Sequence, residues 1–165
     1  MHKSYCMLFI IVLMLALTAC QTSPGGKIKS DYPDLSSREA EKAGYVVAGP
    51  AGYFNIDKME AFYTDYKAGT ASTLVIAHYT DEGDPVYAGL DYNGEFVTYS
   101  YDNSWDAFGG QDKGVKQTEC GTVTKQVGPY GEQEGTLFTL SGCKEDIGYS
   151  DPDNKSYFLL FVPGK

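Results

Sequence analysis

The sequence is short of cationic and of imidazole side chains. It has 13 Lys and Arg against 22 Asp and Glu, a net charge of −9, and two His. An acidic chain repels phosphate backbones, so nucleic acid is excluded as an expected partner. One histidine lies at position 2, which leaves His78 as the one imidazole beyond the N-terminal segment. Histidine-based catalysis therefore has a single candidate, inside an apolar strand.

Long apolar runs are equally scarce, because only residues 7–17 form one. A membrane-spanning helix needs about 20 such residues, so a multi-span membrane protein is excluded. The glycine patterns of phosphate and dinucleotide loops and the Gly-x-Ser-x-Gly turn of serine hydrolases are also missing. No residue set is therefore assigned a catalytic role.

The N-terminus has the features of a secretion signal. Lys3 gives it a basic start, the short apolar run follows, and residues 17–20 read Leu-Thr-Ala-Cys. This tetrapeptide resembles the lipobox of bacterial lipoproteins, in which the cysteine thiol receives a diacylglyceryl group and the chain is cut before it. The resemblance implies a signal peptide over 1–19 and lipidation of Cys20, with fatty acids such as palmitate. The alternative is an ordinary signal peptide cut after Ala19.

The predicted anchor determines the organisation of the rest. Residues 21–27 have no apolar side chain and contain Pro and Gly, which predicts a flexible tether over 20–34 from the lipidated cysteine. Residues 35–165 then form a single domain. The expected localisation is the outer face of the cell membrane, with the lipid bilayer as a partner through Cys20.

Two cysteines, Cys120 and Cys143, lie in the predicted domain. Export places them in an oxidising compartment, so a disulfide between them is expected. The alternative is a metal site with two cysteine ligands, for which no second ligand pair lies nearby in the sequence.

Two helices are indicated in the first part of the domain, with a brief strand at 45–47 between them. Ser36 and Glu39 form a capping box that starts a short helix ending near Gly44. The main helix is predicted to begin after Asn55 as N-cap and to end at Gly69. Its apolar residues fall on one stripe: Ile56, Met59, Phe62, Tyr63 and Tyr66.

The remaining chain has β-rich runs separated by turn residues, at 73–79, 86–91, 96–102, 117–127, 136–140 and 157–162. The last run is apolar on both faces, which predicts an interior strand. Pairing Cys120 with Cys143 would place Val123 opposite Leu140. The expected fold class is α+β: a mostly antiparallel sheet of five or six strands, packed by one main helix and carrying one disulfide.

The Asn93-Gly94 dipeptide predicts a two-residue hairpin turn. That turn would place Leu90 opposite Val97 and Asp102 opposite Pro85.

This register gathers an acidic cluster around a tryptophan at the open end of the hairpin, formed by Glu82, Asp84, Asp102, Asp106 and Trp105. The cluster is either a solvated acidic turn or a ligand or cation site. Calcium is the cation that carboxylate and carbonyl oxygens would favour, and no other cofactor is expected.

Several motifs in the domain form a recognisable combination. They are Thr-Asp-Glu-Gly-Asp-Pro at 80–85, Asp-Tyr-Asn-Gly at 91–94, Asp-Asn-Ser-Trp-Asp-Ala-Phe at 102–108, and Leu-Ser-Gly-Cys at 140–143 after an earlier Cys120. The combination is similar to small Bacillus-type lipoproteins that carry a domain of unknown function. The resemblance implies a Gram-positive lipoprotein and implies no activity.

The expected function is therefore that of a membrane-anchored extracytoplasmic lipoprotein. Within that frame we expect a non-catalytic binding or interaction module of the cell envelope, whose partner is an unidentified envelope ligand or protein. The alternative is a carboxylate-based hydrolase acting on an envelope component, which an acid pair in a cleft would favour.

Overall fold

The computed structural model describes residues 30–111, 113–153 and 155–164, and over these residues the protein is mostly β. Two helices are present there, α1 (Ser37–Lys42) and α2 (Asp57–Ala68). The strands are β1 (Val46–Gly49), β2 (Gly52–Phe54), β3 (Ser72–Tyr79), β4 (Pro85–Tyr92), β5 (Val97–Asp102), β6 (Val115–Tyr130), β7 (Gln133–Cys143) and β8 (Tyr157–Pro163). The predicted signal peptide, Cys20 and most of the predicted tether lie outside the described residues.

All eight strands belong to one curled sheet in the order β2-β1-β3-β4-β5-β6-β7-β8, which forms a half-barrel. The sheet is mixed because β1 runs parallel to β3, with Val46 opposite Ile76. α2 lies in the connection between these parallel strands, as a parallel pair requires a crossover. From β3 to β8 each strand pairs antiparallel with the next.

The expected α+β class with five or six strands and one main helix is wrong. The domain is a mostly β half-barrel of eight strands, and its helices hold only 6 and 12 residues. β2 has three residues, which is too short for a period-2 pattern to stand out in the sequence. The core is also closed mainly by the sheet curling on itself, so one helix does not cover it.

The main helix follows its predicted stripe. Met59 and Phe62 are buried, and Gly69 ends the helix in the left-handed conformation with φ 69°. Asn55 is not the N-cap, however, because Ile56 holds that position. The capping box of Ser36 and Glu39 is present at α1. Within the described ranges, neither helix has the length and apolarity to cross a membrane.

The sheet buries side chains on both faces. One face packs against α2 and is called the helix face; in β3 it carries Leu74 and Ile76, which share a core cluster with Phe62. The opposite face carries Ala77 and Tyr79 in a second cluster. We call it the strap face, because residues 30–35 bind along it, as described below. The alternation of β3 between the two clusters follows from the period of two of a strand.

The apolar pattern of the last strand predicted an interior position, and this is wrong: β8 lies at the edge of the sheet. It is nevertheless apolar because Leu159 and Leu160 are fully buried in the helix-face core. The His78 ring from β3 is hydrogen-bonded to the backbone of Leu159. Curling of the sheet thus buries β8 without a paired strand on its far side.

The predicted register of the β4–β5 hairpin is also wrong, by two residues. Leu90 lies opposite Tyr99, and Val97 lies opposite Tyr92. The loop holds four residues, 93–96, because Oδ1 of Asn93 accepts the backbone N–H groups of Glu95 and Phe96, at 2.9 and 3.0 Å. Asp102 consequently lies opposite Tyr87.

The β6–β7 hairpin has the predicted register. Cys120 lies opposite Cys143 and is joined to it by a disulfide, and Val123 lies opposite Leu140. The covalent link ties the middle of β6 to the end of β7, across a sequence separation of 23.

Breaking this disulfide should lower the stability of the domain. A closed loop of this length stabilises by about 3 kcal/mol in the chain-entropy model. We expect reduction, or the double substitution Cys120→Ala/Cys143→Ala, to lower the melting temperature by several degrees, as measured by circular dichroism. The two perturbations should agree, and two free thiols in the native, non-reduced protein would contradict the bond.

Candidate functional site

The first described residues, 30–35, form a strap along the sheet. Three of its backbone carbonyls accept hydrogen bonds at 2.8 Å from aromatic side chains. The donors are Trp105 Nε1 to Tyr32, Tyr87 OH to Pro33 and Tyr79 OH to Leu35. Burial raises the pKa of both Tyr79 and Tyr87, which keeps their hydroxyls protonated as donors. The segment that leads into the domain is therefore fixed to it.

The strap can lie this close because position 89 has no side chain. A Cβ atom at Gly89 would stand 2.1 Å from the hydroxyl of Tyr32 and 2.5 Å from Oγ of Ser100. The ring of Tyr32 instead packs on Tyr87, with centroids 4.9 Å apart, and meets Tyr45 edge to face. Glycine at this point of β4 thus allows an aromatic residue of the strap to contact the sheet.

Asp102, at the end of β5, is fully buried beneath the strap. Its Oδ2 accepts the hydroxyl of Ser30, and its Oδ1 accepts the backbone N–H of Ser104 at 2.9 Å. Both carboxylate oxygens therefore have donors, as a buried acid requires. The first donor comes from the strap and the second from the loop that follows β5.

That loop, residues 103–111, is held by polar side chains. Asn103 is buried, and its Oδ1 accepts the N–H of Gly114 at 2.8 Å. Asp84 Oδ2 accepts the N–H of Ala107, also at 2.8 Å, which joins the β3–β4 turn to this loop. Asp106 Oδ1 accepts the N–H of Phe108 at 2.8 Å. The loop is thus built on carboxylates and an amide that bind backbone N–H groups.

The structure brings only part of the predicted acidic cluster together. Asp84 and Asp106 contribute to the same loop, Asp102 lies beneath the strap, and Glu82 is exposed in the β3–β4 turn. Trp105 contacts the strap. In the part of the chain that the structure describes, no group of three or more His, Cys, Asp or Glu side chains is arranged to hold a metal ion. Calcium binding stays a prediction.

A groove of about 370 Å³ opens on the strap face beside the strap. Its walls combine one aromatic ring with hydroxyl, amide and carboxylate groups. The polar lining includes Asp31, Tyr32, Asp91, Thr98, Ser100 and Gln117. This strap groove offers hydrogen-bond donors and acceptors beside the apolar Leu74, Val75, Leu90 and Val115, which suits a ligand that has both polar groups and apolar faces.

A second groove, of about 430 Å³, lies over the β6–β7 hairpin and β8. The side chains around it include Tyr130, Tyr149 and Phe158, with Thr124 and Thr139 between them. Tyr130 stacks on Phe158 with centroids 5.6 Å apart. Much of this groove comes from the chain beyond residue 134.

The sequence did not reveal the strap. Residues 30–34 were assigned to the tether because they are mostly polar and contain Pro33. Two signals were nevertheless present, the apolar Tyr32 and Leu35. Their partner Gly89 lies in a strand, where a glycine often marks the close approach of another backbone or ring.

His78, the one histidine candidate, is withdrawn from both grooves. Its Nε2 is shielded from solvent and has no hydrogen-bond partner among the described residues. Phe158 lies against its ring, with centroids 5.8 Å apart. Burial lowers the pKa of His78 to about 4. A neutral imidazole enclosed in this way packs the core and does not reach a substrate.

Comparison with known proteins places residues 44–134 in a family described as a domain of unknown function, DUF4362. No curated protein and no solved structure matches the chain. The matched residues hold all of the strands from β1 to β6, and hence nearly all of the strap groove.

His78 should make the protein sensitive to acid. Its folded pKa of about 4 lies below the ordinary value of 6.5, so the unfolded chain takes up the proton first as the pH falls. The contribution of the neutral His78 ring to the free energy of unfolding is fully present above pH 6.5. It falls by about 3 kcal/mol as the pH drops from 6.5 to 4.

We expect urea unfolding to show a larger stability loss from pH 7 to pH 4 for the wild type than for His78→Gln. The variant keeps every carboxylate, so the difference isolates the imidazole. Equal losses in the two proteins would show that burial of this ring does not control the response.

Proposed function

The chain belongs to the DUF4362 family of unknown function, and from that premise we propose that it is a lipid-anchored extracytoplasmic binding module of the cell envelope. The observation that carries the proposal is the strap. Ser30 follows the predicted lipidation site at Cys20 by ten residues, and from Ser30 onward the chain is bound to the sheet. Ten extended residues span at most about 36 Å, so the domain would stay close to the bilayer.

The strap groove is the proposed ligand site. Its lining residues fall within the family match except for Asp31 and Tyr32, which the strap supplies. The second groove takes more of its wall from residues outside that match, including Tyr149 and Phe158. If family members share a ligand, the strap groove is the better candidate because its sheet residues belong to the shared domain.

The lining chemistry indicates the class of ligand. Thr98 and Ser100 offer hydroxyls, Gln117 offers an amide, and Asp31 and Asp91 offer carboxylates. These groups suit a ligand with many O–H and N–H groups, such as the amino sugars and peptide stems of peptidoglycan. We propose a peptidoglycan fragment as the ligand.

The alternative, a carboxylate-based hydrolase, has less support. Such an enzyme needs two acids that face a substrate across a cleft. Asp84, Asp102 and Asp106 instead each accept a backbone N–H at 2.8 or 2.9 Å. The oxygens of these three predicted acids serve the loop and the strap, so such an enzyme would have to use Asp31 and Asp91 of the strap groove instead.

Membrane attachment should depend on one sulfur atom. Cys20→Ser removes the thiol that would receive the lipid, so we expect the protein to move from the membrane fraction to the soluble extracytoplasmic fraction. Cys6→Ser, in the predicted signal peptide, is the matched control and should leave the protein in the membrane fraction. A Cys20→Ser protein that stays membrane-bound after a carbonate wash would contradict the anchor.

Filling the strap groove should block ligand binding. Gln117 is exposed on β6, so Gln117→Trp places a large ring over the groove without touching the core. We expect binding to purified peptidoglycan sacculi, measured by co-sedimentation, to weaken about tenfold or more, equivalent to about 1.4 kcal/mol. Thr122→Trp is the matched control, since Thr122 is exposed on the same strand and lines neither groove. Equal weakening by both variants would count against this site.

A further inference from the structure

Two large aromatic side chains are exposed on the loop after β5. Phe108 is 77 % exposed and Trp105 is 38 % exposed. They lie three residues apart in a loop that also contacts the strap. We call this pair the aromatic tip.

The tip is held away from the sheet by the polar contacts of its loop. Asp84 Oδ2 accepts the N–H of Ala107, and Asp106 Oδ1 accepts the N–H of Phe108, both at 2.8 Å. Lys113 Nζ donates to the backbone carbonyl of Asp106 at 3.2 Å. These carboxylates are occupied by backbone donors, so the loop keeps its shape while the Phe108 ring stays in solvent.

The tip also lies beside the point where the chain enters the domain. Trp105 Nε1 donates to the carbonyl of Tyr32, two residues after Ser30. Ser30 follows Cys20 by ten residues, so the Cα atoms of Ser30 and of the proposed lipidated cysteine are at most about 36 Å apart. Trp105 therefore contacts the described segment that is nearest in sequence to Cys20, and Phe108 lies on the same loop as Trp105.

We propose that the aromatic tip, Trp105 and Phe108, rests in the interfacial layer of the membrane that holds Cys20. This inference rests on the proposed lipid anchor. Both rings gain by leaving water, and the N–H of Trp105 already has its acceptor in the strap, so its ring can enter the interface without an unpaired polar group. The net charge of −9 opposes attraction to anionic lipids, so the contact depends on apolar burial and persists at high salt.

Fluorescence can test this contact directly, because Trp105 is the one tryptophan in the sequence. The full lipidated protein is purified from membranes and reconstituted into phosphatidylcholine vesicles, with or without lipids brominated near the headgroup. Bromine quenches tryptophan only at short range. We expect the wild type to lose fluorescence in the brominated vesicles, at low and at high salt.

Phe108→Ser should reduce this loss, because it removes the apolar neighbour that holds the tip in the lipid. Val127→Ser is the matched control: Val127 is 81 % exposed and lies twelve residues along β6 from Val115, where the strand leaves the tip loop. Its quenching should equal that of the wild type. Both substituted side chains lie outside the core, so melting temperatures should be unchanged.

Flotation of the vesicles separates the two ways in which the proposal can fail. Wild-type protein that floats with the vesicles but is not quenched overturns the contact and leaves the anchor intact. Quenching that Phe108→Ser leaves unchanged also overturns it. Protein that does not float overturns the anchor and this inference together.

Discussion

The burial of the Asp102 carboxylate is the constraint on which this arrangement depends. A buried carboxylate without donors is strongly unfavourable, so both of its oxygens must be satisfied from nearby chain. Ser30 supplies one hydrogen bond and Ser104 supplies the other. The first holds the strap on the sheet, and the second begins the loop that carries Trp105. One acid at the end of β5 therefore joins the strap, 72 residues earlier in the chain, to the loop that directly follows the strand.

Short-range features were predictable from the sequence, and so was the one pairing with a covalent constraint. The stripe of α2 and its end at Gly69 need only local information, and the disulfide specified the β6–β7 register. The β4–β5 register was not accessible in the same way. A shift of two residues leaves every side chain on the same face, so the alternation of Leu90 and Tyr99 fits either register. The choice depended on the Asn93 side chain within the turn.

Side-chain contacts over long distances in sequence were the least predictable. Asn55 was expected to cap α2, but its amide donates to the carbonyls of Glu41 and Tyr45, and its φ is 54°. The acidic residues were expected to meet at one point, and a register error placed Asp102 among them. The strap was missed because its binding depends on the absence of a side chain at Gly89. None of these contacts produces a periodic pattern in the amino-acid sequence.

The two edges of the sheet have a consequence for a protein held at a surface. The proposed anchoring would confine many copies to a thin layer, where open strand edges can pair between molecules and start aggregates. β2, at one edge, has only three residues. At the other edge, β8 shifts its register against β7 at Leu159, which interrupts the regular ladder. A short edge and an interrupted edge of this kind disfavour sheet-to-sheet pairing, so copies anchored as proposed above would be expected to stay separate.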